Sequence, residues 1–177
     1  MSSGALPPGG APLPLVSPLR SSTDPPDPAT VQPERVLLAS EGREIPERAV
    51  DFAARLARQG GGVVYVFSIA RVWGTGLGLP NPGLLPSKRE WDVQRDVVAA
   101  AVKSLKRHGV KAEGHVLATR KATKRIMAEA ERLGCDVIVM GADARRNRVV
   151  ADFIWSQEPY RVRRRADRPV YLVSGDA

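Results

Sequence analysis

Arg35-Val36-Leu37-Leu38-Ala39-Ser40 is an unbroken apolar run closed by Glu41-Gly42. A strand wetted on one face alternates polar and apolar residues, so a short run without alternation points to a strand covered on both faces, as in parallel sheets. The chain beyond it continues in the same style. Pro46 and Glu47 open a helix with Ala49, Phe52, Ala53 and Leu56 at i, i+3, i+4 and i+7, and Gly60-Gly61-Gly62 stops it. Val63-Val64-Tyr65-Val66-Phe67 is a second buried strand, rich in β-branched and aromatic residues. Ser87, with Glu90 three residues on, caps the next helix, whose inward stripe is Trp91, Val98, Val102 and Leu105. Lys103, Lys106 and Arg107 suit the negative end of its dipole, and His108-Gly109 closes it, which makes His108 a helix-end cation and not a catalyst. Val110 to Leu117 reads as a third strand with His115 on one face, and Thr119 starts a helix that turns Ala122, Ile126, Ala130 and Leu133 inward until Gly134. Asp136 to Met140 is a fourth strand, Ser156 to Arg165 a helix, and Pro169 to Val173 a last strand. Strands and helices that alternate at this rhythm predict an α/β fold: an open five-stranded parallel sheet with helices on both faces, joined by right-handed crossovers.

The start of the chain has another texture. Residues 1–33 hold nine of the 15 prolines, no aromatic residue and only Arg20, Asp24 and Asp27 as charges. Apolar surface there is too small to offset the entropy of ordering, so 1–33 reads as a disordered proline-rich arm and 34–177 as one domain. The arm serves solubility, or offers Pro-Leu-Pro-Leu to an aromatic groove of a partner. In the whole 177 residues, 43% are apolar, which supports a core; one cysteine excludes a disulfide framework and two histidines leave little for a metal site. No apolar run reaches the roughly 20 residues of a membrane helix. No basic flank with an apolar stretch marks a secretory leader, so a cytoplasmic protein is expected. The net charge of +8 favours contact with polyanions without choosing among them.

In an open parallel sheet a ligand sits beyond the carboxyl ends of the strands, where strand order reverses. Three connections reach that edge. Ser40-Glu41-Gly42 offers a carboxylate for ribose hydroxyls, and Gly141, Arg145, Arg146 and Arg148 precede a helix start able to face an anion. The long Arg71–Ser87 connection carries Gly74-Thr75-Gly76-Leu77-Gly78, but Pro80, Pro82 and Pro86 separate it from any helix, so it reads as a surface flap. Asp143, Asp152 and Glu158 are carboxylates that can accompany a nucleotide-bound Mg²⁺, or simply belong to a charged loop.

From Arg35 to Ser174 the chain resembles the universal stress protein family. The resemblance lies in the opening strand with Glu41-Gly42, in Arg48 to Ala57, in Cys135-Asp136-Val137-Ile138-Val139-Met140-Gly141, and in Arg168-Pro169-Val170-Tyr171-Leu172-Val173. It implies a flavodoxin-like sandwich, a homodimer paired through the last strand, and a regulatory role in stress with no catalytic reaction. It also implies ATP binding in many members, and here the pattern is degenerate. Ser40-Glu41 stands where an Asp usually follows the first strand. Gly141 fits the first glycine after the fourth strand; Ala144 falls on the second, and Ile154 and Trp155 on the final Gly-Ser/Thr pair, with Ser156 one place beyond. Ala144 costs roughly 1 kcal/mol or more at a positive φ. Arginine side chains can replace some backbone contacts to phosphate.

These residues predict a cytoplasmic, homodimeric, non-enzymatic regulatory domain with an unidentified protein partner, and no cofactor. The alternative is an ATP-dependent switch or slow ATPase, with ATP and Mg²⁺ held among Ser40, Glu41, Gly42, Gly141, Ala144, Arg145 and Ser156. A third reading is a nucleic-acid or ribosome-associated module. Arg161, Arg164, Arg165 and Arg168 fall on one face if the last helix runs that far, although a solvated basic helix end explains them as well. Cys135 reads as buried filler, not as a reactive thiol.

Overall fold

The computed structural model describes residues 24–71, 85–142 and 157–174. Among them stand β1 (Arg35–Ser40), α1 (Glu47–Gly60), β2 (Val63–Arg71), α2 (Lys88–Arg107), β3 (Lys111–Thr119), α3 (Ala122–Arg132), β4 (Val137–Ala142), α4 (Glu158–Arg165) and β5 (Val170–Ser174). All strand pairs are parallel and the order is β3-β2-β1-β4-β5. The predicted architecture is therefore the observed one.

Alternate residues of β1 divide the core. Val36 and Leu38 join Ala49, Ala53, Ala57, Val98 and Leu105 under α1 and α2. Leu37 and Ala39 join Phe67, Ile126, Met140 and Val162 under α3 and α4. Neither face of β1 meets water, which is why its sequence shows no alternation. Alanines 49, 53, 54 and 57 let α1 lie close over the middle of the sheet.

Three expectations need correction. The third helix does not begin at Thr119, which is the last residue of β3; its Oγ1 accepts the Lys121 amide at 3.0 Å and turns the chain before α3 starts at Ala122. Arg168 does not share the face of Arg161, Arg164 and Arg165, because α4 ends at Arg165 and Ala166 is extended. Its guanidinium instead donates to the carbonyls of Ala130 (3.2 Å) and Cys135 (2.8 Å) and tacks the end of α3 to the start of β5.

The third correction concerns the arm. Asp24 to Pro33 packs against the domain. The Asp27 carboxylate accepts the Ala29 amide and caps a 3-10 turn over Pro28–Thr30. Tyr171 of β5 donates its hydroxyl to the Pro26 carbonyl at 3.0 Å, Asp24 pairs with Arg163, and Val31 packs on the α1 side of the core. Composition alone hides such a strap, since its anchors are supplied by residues far along the chain.

Candidate functional site

The strand order reverses between β1 and β4: β2 and β3 lie on one side of β1, and β4 and β5 on the other. Ala39 is in register with Met140, so Ser40 and Gly141 end side by side at the carboxyl edge. A cleft of about 490 Å³ opens there, lined by Ser40, Glu41, Arg43, Pro46, Gly141 and Ala142 among others. It is the crevice in which doubly wound sheets bind ligands. Glu41 and Gly141 thus meet at one rim, as the sequence predicted.

What those residues do at the rim differs from what was expected of them. Ser40 is buried, and its hydroxyl is fully used by the turn between β1 and α1. It donates to the Arg43 carbonyl at 2.5 Å and accepts the amides of Gly42 (3.2 Å) and Arg43 (3.0 Å). Glu41 is 2% exposed, and its carboxylate is ion-paired with Arg43. Burial raises its pKa above the ordinary value, against the pull of Arg43, its own backbone and Arg71. A carboxylate enclosed in this way is a poor acceptor for a ribose.

Gly42 sits at φ 99° with its backbone laid on Arg71. Arg71, buried at the end of β2, donates Nε to the Glu41 carbonyl at 3.1 Å. Gln94 of α2 donates to the Gly42 carbonyl at 3.1 Å while accepting from Ser68 Oγ at 2.6 Å. Sequence reasoning missed this layer of Ser68, Arg71 and Gln94. One signal was available: Gln94 is a large polar residue in line with the apolar stripe of α2.

Gly141 has a structural reason to be glycine. A Cβ there would stand 2.7 Å from Cδ and 2.9 Å from Cγ of Pro46, the residue that opens α1. Glu158 is not a free metal ligand. It is buried, accepts both the amide (3.1 Å) and the hydroxyl of Thr123, and pairs with Arg161 at 2.5 Å. In that position it caps α3, which has no side-chain cap of its own. Asp143, Ala144, Arg145, Asp152, Ile154, Trp155, Ser156 and the glycines at 74, 76 and 78 lie outside the described residues.

The remaining candidates have local tasks. His108 caps α2, with Nδ1 3.5 Å from Asp51. His115 Nε2 lies 2.8 Å from the buried Glu129 carboxylate, and its ring tilts against Phe67 at 5.2 Å between centroids. The Cys135 thiol is buried and its pKa is pushed up to about 11, mainly by that burial. No helix among the described residues is long and apolar enough to cross a membrane.

Comparison with known proteins agrees with the architecture. In solved structures, similarity extends to a universal stress protein family member from Burkholderia pseudomallei, at TM-score 0.60 and 21% identity, over 79% of this chain and 95% of that one. It extends as well to the universal stress protein from Archaeoglobus fulgidus in complex with dAMP, at TM-score 0.56 and 22% identity over 78% and 94% of the two chains. A universal stress protein in complex with cAMP matches at TM-score 0.58 and 16% identity, over 82% and 99%. A search of curated protein sequences finds no match to this chain. The model of the universal stress protein family matches residues 33–174, which is nearly the whole of the sandwich. The chain belongs to the universal stress protein family.

Proposed function

We propose that this chain is a cytoplasmic regulatory domain that acts by binding a protein partner, without turnover and without holding ATP as ordinary members of its family do. One observation carries the reading: the Ser40 hydroxyl, the Glu41 carboxylate and the carbonyls of Glu41 and Gly42 at the end of β1 each already have a protein partner. Ser40 serves the turn, Glu41 is enclosed with Arg43, and the carbonyls of Glu41 and Gly42 accept from Arg71 and Gln94. A ribose bound there would have to displace these bonds, at a cost of about 1–3 kcal/mol for each buried group left unpaired. Among the described residues, Ser40 and Glu41 are already engaged and do not offer the acceptors a ribose needs, so no reaction step is derived through ATP.

A second reading, the nucleotide-dependent switch or slow ATPase, is favoured by the cleft at the β1/β4 reversal. Two proteins of similar fold are complexes with dAMP and cAMP. Titration calorimetry of the full chain with ATP and Mg²⁺ separates the two. The first predicts no saturable heat at millimolar ATP; a saturable isotherm would replace it with the second. The homodimer belongs to the same proposal, since β5 is an edge strand with Val170 and Tyr171 buried and Leu172 and Val173 half-buried. Sedimentation of a monomer across the micromolar range would remove it.

A further inference from the structure

Helices α3 and α4 lie side by side on one face of the sheet, through Ile126, Ala130 and Val162. Their amino ends are joined by Glu158 on Thr123, and Arg168 tacks the end of α3 to the segment that follows α4. The two helices therefore run in the same direction and form one surface. The acids of this pair are mostly withdrawn from it. Glu129 is buried against His115 and Arg132, and Glu158 is buried against Thr123 and Arg161. Glu131 alone remains as an exposed acid on the two helices.

The cations, in contrast, point outward. Lys124 and Arg125 of α3 and Arg164 and Arg165 of α4 are exposed and form no ion pair among the described residues. The opposite face is more mixed: α1 and α2 expose Glu47, Asp51, Asp92 and Asp96 among nine cations, against Glu131 among five cations on α3 and α4. Tyr160 is 38% exposed on the first turn of α4, at i and i+4 with Arg164. Lys124 and Arg125 stand on the first turn of α3 and Arg164 and Arg165 on the last turn of α4, about 8 Å further along at 1.5 Å per residue, with the two axes about 8–10 Å apart.

We infer that the α3/α4 face binds single-stranded nucleic acid, with Lys124 and Arg125 at one end and Arg164 and Arg165 at the other on phosphates of one strand, and Tyr160 under a base between them. The inference is independent of the cleft and of whether ATP enters it. Arginine in three of the four positions favours phosphate, which its planar fork matches with two donors. The exposed ring beside Arg164 favours an unpaired base, because stacking needs a free π-face. An acidic protein segment would use the charges but not the ring.

The test is fluorescence anisotropy of a short labelled oligouridylate with the full chain at about 50 and 200 mM salt. Four phosphate contacts give a slope of about −2.8 in log K against log salt, so affinity should fall about 50-fold across that range. Lys124→Gln with Arg125→Gln, or Arg164→Gln with Arg165→Gln, should each reduce the slope by about 1.4. Tyr160→Ala should weaken binding about tenfold and leave the slope alone. Lys103→Gln with Lys106→Gln on α2 removes the same charge from the opposite face and should change little. Absence of binding at the lower salt overturns the inference, as does an α2 double variant that loses as much as the α3 or α4 pair. Competition by polyglutamate as effective as by unlabelled oligouridylate, or a Tyr160→Ala protein that binds unchanged, overturns it too. Circular dichroism of each variant confirms that the comparison is between folded proteins.

Discussion

Replacing Gly42 by alanine asks whether the turn after β1 is as tightly built as its hydrogen bonds imply. Three costs coincide there. At φ 99° an L side chain is strained, which is worth about 1–2 kcal/mol. The new Cβ would stand 2.5 Å from the Ile69 carbonyl oxygen and 2.9 Å from Cγ and Nε of Arg71, so buried backbone must shift. Overpacking of that kind costs about 1–3 kcal/mol. Moving Arg71 stretches its hydrogen bond to the Glu41 carbonyl, which adds about 1 kcal/mol. Gly61→Ala is the internal control, because Gly61 has φ 64° but nothing within 4 Å of its would-be Cβ; it should lose only about 1 kcal/mol. With a urea m-value of about 2 kcal/mol/M, Gly42→Ala at about 4 kcal/mol lowers the midpoint by about 2 M, and Gly61→Ala by about 0.5 M. Equal shifts for the two variants would refute a packed turn and leave only backbone strain.

Other consequences are as specific. Burial raises the Glu41 pKa above its ordinary 4.5, so its contribution to stability is full below the unfolded value and is lost as pH rises through the folded one. Glu41→Gln should therefore gain on the wild type in thermal melts as pH rises above 4.5; a constant or opposite difference would count against an enclosed carboxylate. Cys135, with its thiol pushed up to about 11, should resist a thiol reagent at mildly alkaline pH and react when urea unfolds the chain. Fast labelling of the native protein would contradict its buried placement. Tyr171→Phe removes the bond to the Pro26 carbonyl. It should cost about 1 kcal/mol and speed proteolysis within residues 24–33, whereas an unchanged cleavage rate would show that the strap is held by other contacts.

The sheet was legible in the sequence because its three central strands are buried on both faces, a condition that leaves a direct trace in Val36–Ala39, Val63–Phe67 and Val137–Met140. Parallel alternation then puts the connections after β1 and β4 at one carboxyl edge, and with them Glu41 and Gly141. What could not be read was the destination of each polar side chain. Glu41 looks the same in sequence whether it faces a ribose or turns inward onto Arg43, and Gly141 looks the same whether it admits a phosphate or Pro46. Glu158 caps a helix 35 residues away in sequence, a relation with no local signature. The strap from Asp24 was hidden for the same reason, since Tyr171 and Arg163 hold it from the other end of the chain. Thr119 was misplaced by a shorter-range ambiguity: a threonine just before a helical pattern reads as its cap, and here its hydroxyl turns the strand end instead.

The most direct measurement is a titration of the ¹⁵N-labelled full chain with ATP and Mg²⁺, following the amide resonances of Gly42, Arg43 and Gly141. With the β1–α1 turn closed upon its own side chains, these three signals should stay in place at millimolar nucleotide. Saturable movement of Gly42 and Gly141 together would show that the turn opens to a ligand, and would contradict the closed site.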